Sequence, residues 1–260
     1  MWGTVTAPFV LSRAATWALA FVLLCMVPLA AQETEKSGLS TSLSADQAEG
    51  CKLHPYTGKT PLNQMPNHVT GAEDLRGGMT CRFRIHPKGP VLVFHFAGKD
   101  DNSFGNLEIQ QESGIVIQTI ENETDPGAVT PATAQTVLQA VDANFDGYKD
   151  LQLLSNCGAT GNCSYDFYLF DPASGRFVHN DFLTNLTSPS FDAATRQVTS
   201  SSNGSASDWQ TETYQHKDGE YTLIRKETSE WDRDRHVVNL KTYERRNGQL
   251  ELIDSSSTPE

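Results

Sequence analysis

Two segments near the C-terminus carry the same hairpin signature. Tyr214-Gln-His-Lys-Asp218-Gly219-Glu-Tyr221-Thr-Leu223-Ile224 aligns position by position with Tyr243-Glu-Arg-Arg-Asn247-Gly248-Gln-Leu250-Glu-Leu252-Ile253. Asp-Gly or Asn-Gly between alternating runs predicts a tight antiparallel hairpin, because the turn that suits strand twist needs positive φ at both central residues. Phe170–Gly175–Phe177 repeats the aromatic-to-Gly-to-aromatic offsets, and Ile109–Gly114–Val116 does so more loosely. Gly175 and Gly219 are 44 residues apart, close to a four-stranded propeller blade, whereas Gly219 and Gly248 are 29 apart. The expected fold class is therefore all-β, with irregular, β-propeller-like antiparallel sheets. A sandwich or barrel meander that reuses good turns is the alternative.

The rest of the chain after about residue 80 reads mostly as short strands and turns. Arg82–Ile85 and Val91–Phe96 are β-type runs separated by Pro87-Lys88-Gly89-Pro90. Leu107–Gln110 and Ile115–Ile120 flank Ser113-Gly114. A short helix fits only within 132–140, and strand is preferred for Val137–Val141. The charge-rich stretch Thr228–Arg235 reads as a solvated turn.

At the N-terminus, Arg13 precedes an apolar run from Ala14 to Leu29, which ends in small residues at Ala30-Ala31. The run is short for a membrane span, which needs about 20 residues. It reads as a cleavable export signal over 1–31, with an uncleaved anchor as the alternative. Cys25 follows Leu24, where lipidation normally requires a small residue, so membrane anchoring is not expected. Residues 32–50 are rich in Ser, Thr, Glu and Gln and read as a flexible tether, leaving 51–260 as a single all-β domain.

An exported chain meets an oxidising compartment. Cys51, Cys81, Cys157 and Cys163 are then expected as two disulfides. Three pairings are open. Cys157–Cys163 with Cys51–Cys81 is favoured, because the former encloses the short polar loop Gly-Ala-Thr-Gly-Asn. Zinc is the alternative, but Cys-x5-Cys without a nearby His is poor zinc spacing.

The sharpest chemical motif is Asp142-Ala-Asn144-Phe-Asp146-Gly147-Tyr148-Lys-Asp150. Side-chain oxygens recur at loop positions 1, 3, 5 and 9, with Gly at position 6. Ca2+ wants 6–8 oxygens, and alternating donors on a curled loop converge on one point. Asp142, Asn144, Asp146, the Tyr148 carbonyl and Asp150 are the expected ligands, in a loop between strands. Leu153 stands where an EF-hand has its bidentate Glu, so this is not a full EF-hand. A metal-free turn is the competing reading, and magnesium fits less well because it retains several waters.

The formal charge is −12, from 32 acidic and 20 basic residues. That balance disfavours a nucleic-acid binder and adsorption to anionic lipid, and it suits cations and basic protein partners. None of the seven histidines sits in a metal or triad pattern, and there is no Gly-x-Ser-x-Gly or phosphate-cradling loop. No catalytic residue is assigned. Adjacent carboxylates such as Glu227, Glu230, Asp232 and Asp234 leave a carboxylate-dependent hydrolase as an alternative. Four Asn-x-Ser/Thr sequons, at Asn122, Asn162, Asn185 and Asn203, are expected by chance in so polar a chain.

Three further pieces join the calcium motif: Tyr165-Asp-Phe-Tyr-Leu-Phe-Asp-Pro-Ala-Ser-Gly-Arg-Phe177, Asn185-Leu-Thr-Ser-Pro-Ser-Phe-Asp192 and the hairpin Tyr214–Ile224. Together they resemble the exported, β-propeller-like bacterial proteins that include immunity proteins of type IV secretion antibacterial systems. The resemblance covers about residues 80–255. It implies a periplasmic protein that binds Ca2+ and inhibits a lysozyme-like effector attacking peptidoglycan. Immunity members are often lipoproteins, a pattern from which Leu24-Cys25 departs. A calcium-rigidified adhesive module is a further alternative. For partner contact the candidate is Tyr165, at the end of the Gly/Asn/Ser-rich stretch from Ser155, a composition suited to recognition loops. The competing reading packs Tyr165 beside Phe167 in a sheet.

Overall fold

The computed structural model describes residues 49–58, 74–121, 129 and 132–259. The leader and nearly all of the expected tether lie outside the described residues. Among the described residues, no helix is long and apolar enough to cross a membrane.

Among the described residues, fifteen strands form three antiparallel sheets, each in strict sequence order. Sheet A contains β1 (Gly50–Leu53), β2 (Met79–Arg84), β3 (Val91–Gly98), β4 (Phe104–Gln111) and β5 (Val116–Ile120). A one-turn helix, α1 (Ala134–Val137), leads into sheet B: β6 (Leu138–Val141), β7 (Asp150–Cys157), β8 (Cys163–Asp171) and β9 (Arg176–His179). A second one-turn helix, α2 (Asp181–Thr184), precedes sheet C. Its strands are β10 (Ser190–Asp192), β11 (Gln197–Asn203), β12 (Trp209–Lys217), β13 (Glu220–Asp232), β14 (Val237–Arg246) and β15 (Gln249–Pro259). The protein is thus all-β, built from meanders of five, four and six strands, and the described strand pairing closes none of them into a barrel.

The sequence repeat in sheet C is also a geometric repeat. Asp218 and Gly219 have φ of 53° and 85°, and Asn247 and Gly248 have 50° and 85°. Each hairpin then slips register at the equivalent step, between Thr213 and Tyr214 and between Thr242 and Tyr243. Ile224 and Ile253 are the extra residues on the bulged strands. A bulge increases local twist, so the same eleven-residue pattern specifies both turn and bend.

Sheet B is the structural centre. Along β8, Phe167 and the half-buried Tyr165 and Leu169 face a cluster containing Ala143, Leu183, Leu186 and Val198. The intervening Tyr168 and Phe170 face the larger core of Phe94, Phe96, Leu107, Leu151 and Leu153. This is the period-2 alternation of a strand covered on both sides. Accordingly β7 is buried at five consecutive positions, Asp150 to Leu154. Full burial of an aromatic ring such as Phe167 makes its truncation to Ala cost about 3–5 kcal/mol.

Sheets A and B meet at a side-chain bridge. Gln118 of β5 donates from Nε2 to the Phe177 carbonyl and accepts the Phe177 N–H at Oε1, both at 2.8 Å.

Both expected disulfides are present, and each joins directly opposed residues. Cys51 faces Cys81 across β1 and β2, with Cα atoms 3.9 Å apart. Cys157 faces Cys163 across β7 and β8 at 4.0 Å. The loop left between them is only 158–162.

One segment differs from its sequence expectation. Of Thr228–Arg235 only Arg233–Arg235 lie in the solvated turn, since β13 continues to Asp232. Thr228 and Ser229 are laddered to both β12 and β14 and Glu230–Asp232 to β14, and cross-strand pairs such as Lys241–Glu230 (3.5 Å) accommodate the charge. Ladder hydrogen bonding outweighs the low strand propensity of charged residues.

Candidate metal loop and recognition surface

The loop between β6 and β7 is organised by its own oxygens. The Asp146 N–H donates to Asp142 Oδ1 at 3.0 Å and to Asn144 Oδ1 at 3.1 Å. Gly147 N–H donates to Asp142 Oδ2 at 3.0 Å, and Tyr148 N–H to Asp146 Oδ1 at 2.8 Å. Asn144 Nδ2 donates to Asp146 Oδ2 at 2.9 Å. Asp142, Asn144 and Asp146 are therefore drawn around one curl of chain. Gly147 turns at φ 90°, a conformation that disfavours any Cβ. Phe145 also has positive φ, 59°, at a cost of about 1–2 kcal/mol. Its ring contacts Phe191 and His216, which offsets that cost.

Asp150 lies beneath the curl and is fully buried. Its Oδ2 accepts the Ala143 N–H at 2.9 Å, and its Oδ1 accepts the Phe170 N–H at 2.8 Å. Burial pushes its carboxyl up to about 7, against the two N–H groups and helped by the nearby Asp146. No Lys or Arg pairs with it among the described residues. Loss of hydration without a cationic partner is costly for a carboxylate.

The donor set is all oxygen, as a hard cation requires. Asp142 and Asn144 are half-buried and Asp146 is exposed, so the curl opens to solvent above the buried Asp150. These features fit Ca2+. Among the described residues, no group of three or more His, Cys, Asp or Glu side chains is gathered closely enough to hold a metal as it stands. The Asp142 and Asp146 oxygens instead face the loop's own N–H groups. Tyr148, expected to contribute its carbonyl, sends its ring away from the loop to stack between His86 (4.7 Å) and Phe170 (5.4 Å).

Sheet C forms the other wall of the loop. The Tyr221 hydroxyl donates to the Ala143 carbonyl at 3.2 Å. Its ionisation is pushed up by burial and by Asp150, Asp142 and Asp146. His216 is 6% exposed, and its ring lies 5.8 Å from Phe145 and 4.7 Å from Tyr221. Burial, then Arg196, lowers its pKa, opposed by Asp142 and Asp146. The sequence placed His216 only at a hairpin tip. The aromatic alternation Tyr214, His216 and Tyr221, all on one face of the hairpin, was the available signal for its burial.

Tyr165 packs in the sheet and also borders a cleft. It packs edge-on against Phe167, with ring centroids 6.3 Å apart, and burial raises its pKa. It also lines an open cleft with Asp142, Gln152, Pro189 and Phe191, beside the metal loop. The disulfide Cys157–Cys163 and the bond that the Cys163 N–H donates to Ser188 Oγ, 2.9 Å, fix the neighbouring backbone.

No protein-family model and no curated protein matches the chain. A solved structure described as that of a Xanthomonas type IV secretion system related protein is similar to it. The identity is 19% and the TM-score 0.47, and the match covers 76% of this chain and 97% of that one.

Proposed function

We propose that this chain is a periplasmic, calcium-stabilised immunity protein that binds and inhibits a lysozyme-like peptidoglycan hydrolase, with its three meanders arranged as irregular propeller-like blades. The observation that carries the reading is the adjacency of two features. An oxygen-only loop sits over a buried, cation-free carboxylate, and a disulfide-clipped strand beside it presents Tyr165 to an open cleft. A stiff aromatic on a fixed backbone loses little entropy on binding, as an inhibitor's contact residue requires. The loop's role is footing for that surface. The chain's charge of −12 would steer it toward a basic enzyme and accelerate association at low salt.

The test is inhibition of a purified lysozyme-like peptidoglycan hydrolase. The unmodified protein should inhibit it and should itself release nothing from peptidoglycan. Tyr165→Ala should lose inhibition while stability falls by only about 2 kcal/mol, because the ring is half-buried. Full inhibition by the folded variant would remove Tyr165 from the contact. Peptidoglycan cleavage by the unmodified protein would overturn the inhibitor reading.

A further inference from the structure

A second cleft lies on the opposite face of sheet B from Tyr165. It has a volume of about 680 Å3, within the range of small-molecule sites. The turn between β2 and β3 forms one side, the start of β5 a second, and the turn between β8 and β9 a third. About half of its lining is apolar, with Ile85, Leu92, Val116 and Ile117 contributing, and the rings of Tyr148 and Phe170 reach into it. His86, Tyr148, Phe170 and Phe177 follow one another at ring distances of 4.7, 5.4 and 5.2 Å, which makes this a rigid aromatic wall.

The charge of the cleft runs against that of the chain. Acidic residues outnumber basic ones 32 to 20 overall, yet among the described residues no Asp or Glu lines this cleft. Lys88 and Arg176 do line it, both exposed, and neither forms an ion pair among the described residues. The turn bearing Lys88 is braced, since Arg84 Nη1 donates to the Gly89 carbonyl at 2.7 Å. Lys149 N–H donates to the Ile85 carbonyl at 2.7 Å and ties the same turn to the metal loop. Two unpaired cations over a braced apolar and aromatic pocket complement an anion with an apolar body. The other polar side chains of the lining are His86, Gln111, Tyr148 and Ser174, so it is the two cations without a described acidic neighbour that favour an anion over a neutral sugar.

We propose that this cleft binds a carboxylate borne on an aromatic or branched-aliphatic body, with Arg176 and Lys88 taking the carboxylate and the Tyr148–Phe170 wall the body. Two sources share that chemistry: a free aryl-alkanoic acid and the apolar C-terminal residue of a polypeptide. The site is separate from the Tyr165 surface, so it stands or falls independently of the inhibitor reading.

The experiment is amide-shift titration of the full chain with 3-phenylpropionate and with the peptide Ac-Gly-Gly-Phe-OH. Their neutral amides, 3-phenylpropionamide and Ac-Gly-Gly-Phe-NH2, are run in parallel. At least one acid should shift the Val116, Ile117, Tyr148 and Arg176 amides, and its neutral counterpart should bind about tenfold more weakly, the sum of two exposed charge contacts. The acid that binds identifies the source. Lys88→Gln with Arg176→Gln should leave the melting temperature unchanged and bring the acid's affinity down to that of the amide. No shift with either acid at about 10 mM would overturn the proposal. So would equal binding of acid and amide, or undiminished binding by the double variant.

Discussion

The Tyr221 hydroxyl donates to the Ala143 carbonyl across 78 residues of sequence, joining sheet C to the loop between β6 and β7. The bond is partly buried, and the ring stacks on Phe182 at 4.6 Å. Tyr221→Phe keeps the stack and removes only the donor. The expected loss is about 1 kcal/mol of unfolding free energy, measured by urea titration. A loss near zero would mean that this hydroxyl contributes nothing net to the joint between sheet and loop.

Calcium should raise the melting temperature. Ligand at about 100 times its dissociation constant adds about 2.7 kcal/mol to a protein that binds it only when folded. Asp146→Ala should abolish that rise. Because Asp146 is exposed, the variant should fold normally in chelator. Identical melting curves for the unmodified protein with calcium and with chelator would remove the metal from the account.

The two disulfides should contribute unequally. Their sequence separations are 30 for Cys51–Cys81 and 6 for Cys157–Cys163. Loop-closure entropy then gives about 3.7 and about 2.3 kcal/mol respectively. Paired Cys→Ser variants, unfolded in guanidinium, should rank in that order. Mass spectrometry of the non-reduced mature chain should find four hydrogens fewer than in the reduced form.

Acid should weaken the protein through His54. Its Nε2 lies 2.7 Å from Thr80 Oγ1, which in turn lies 3.1 Å from His95 Nδ1. Burial, then His95 and Lys52, lowers the His54 pKa below its ordinary 6.5. The unfolded chain therefore binds the proton first, so stability is full above pH 6.5 and declines as pH falls below that value toward the folded pKa. His54→Gln should flatten this part of the stability–pH curve. An unchanged slope in the variant would assign the acid sensitivity elsewhere.

Strand positions were legible wherever one face of the chain is buried. Phe94 and Phe96 alternate with His95, and the structure buries the first two and turns His95 toward Thr80. The short helix and the following strand at 134–141 were legible for the same reason, and so was the antiparallel β class. Charge misled the reading at Thr228–Asp232, though not at Arg233–Arg235, because propensity is local whereas the ladders that extend β13 are not. The metal loop's curl follows from its spacing, since its Asp and Asn side chains bond N–H groups two to five residues away. The walls of that loop come from sheet C, more than 40 residues downstream. No local pattern encodes that Tyr221 and His216 would close over Ala143 and Phe145. The cleft beside Tyr148 was illegible for a related reason: its lining comes from four separated segments.

Gln118 carries a consequence of a different kind. Its side-chain amide meets Phe177 as a peptide group in a neighbouring strand would, donating to the carbonyl and accepting the N–H. Outer strands of sheets ordinarily offer rows of unpaired backbone groups to any passing extended chain. Here one side chain occupies such a position on β9 from the rim of the adjoining sheet. At Phe177 the edge of sheet B is thereby closed to a foreign strand at the cost of a single glutamine, which guards that point against edge-to-edge polymerisation.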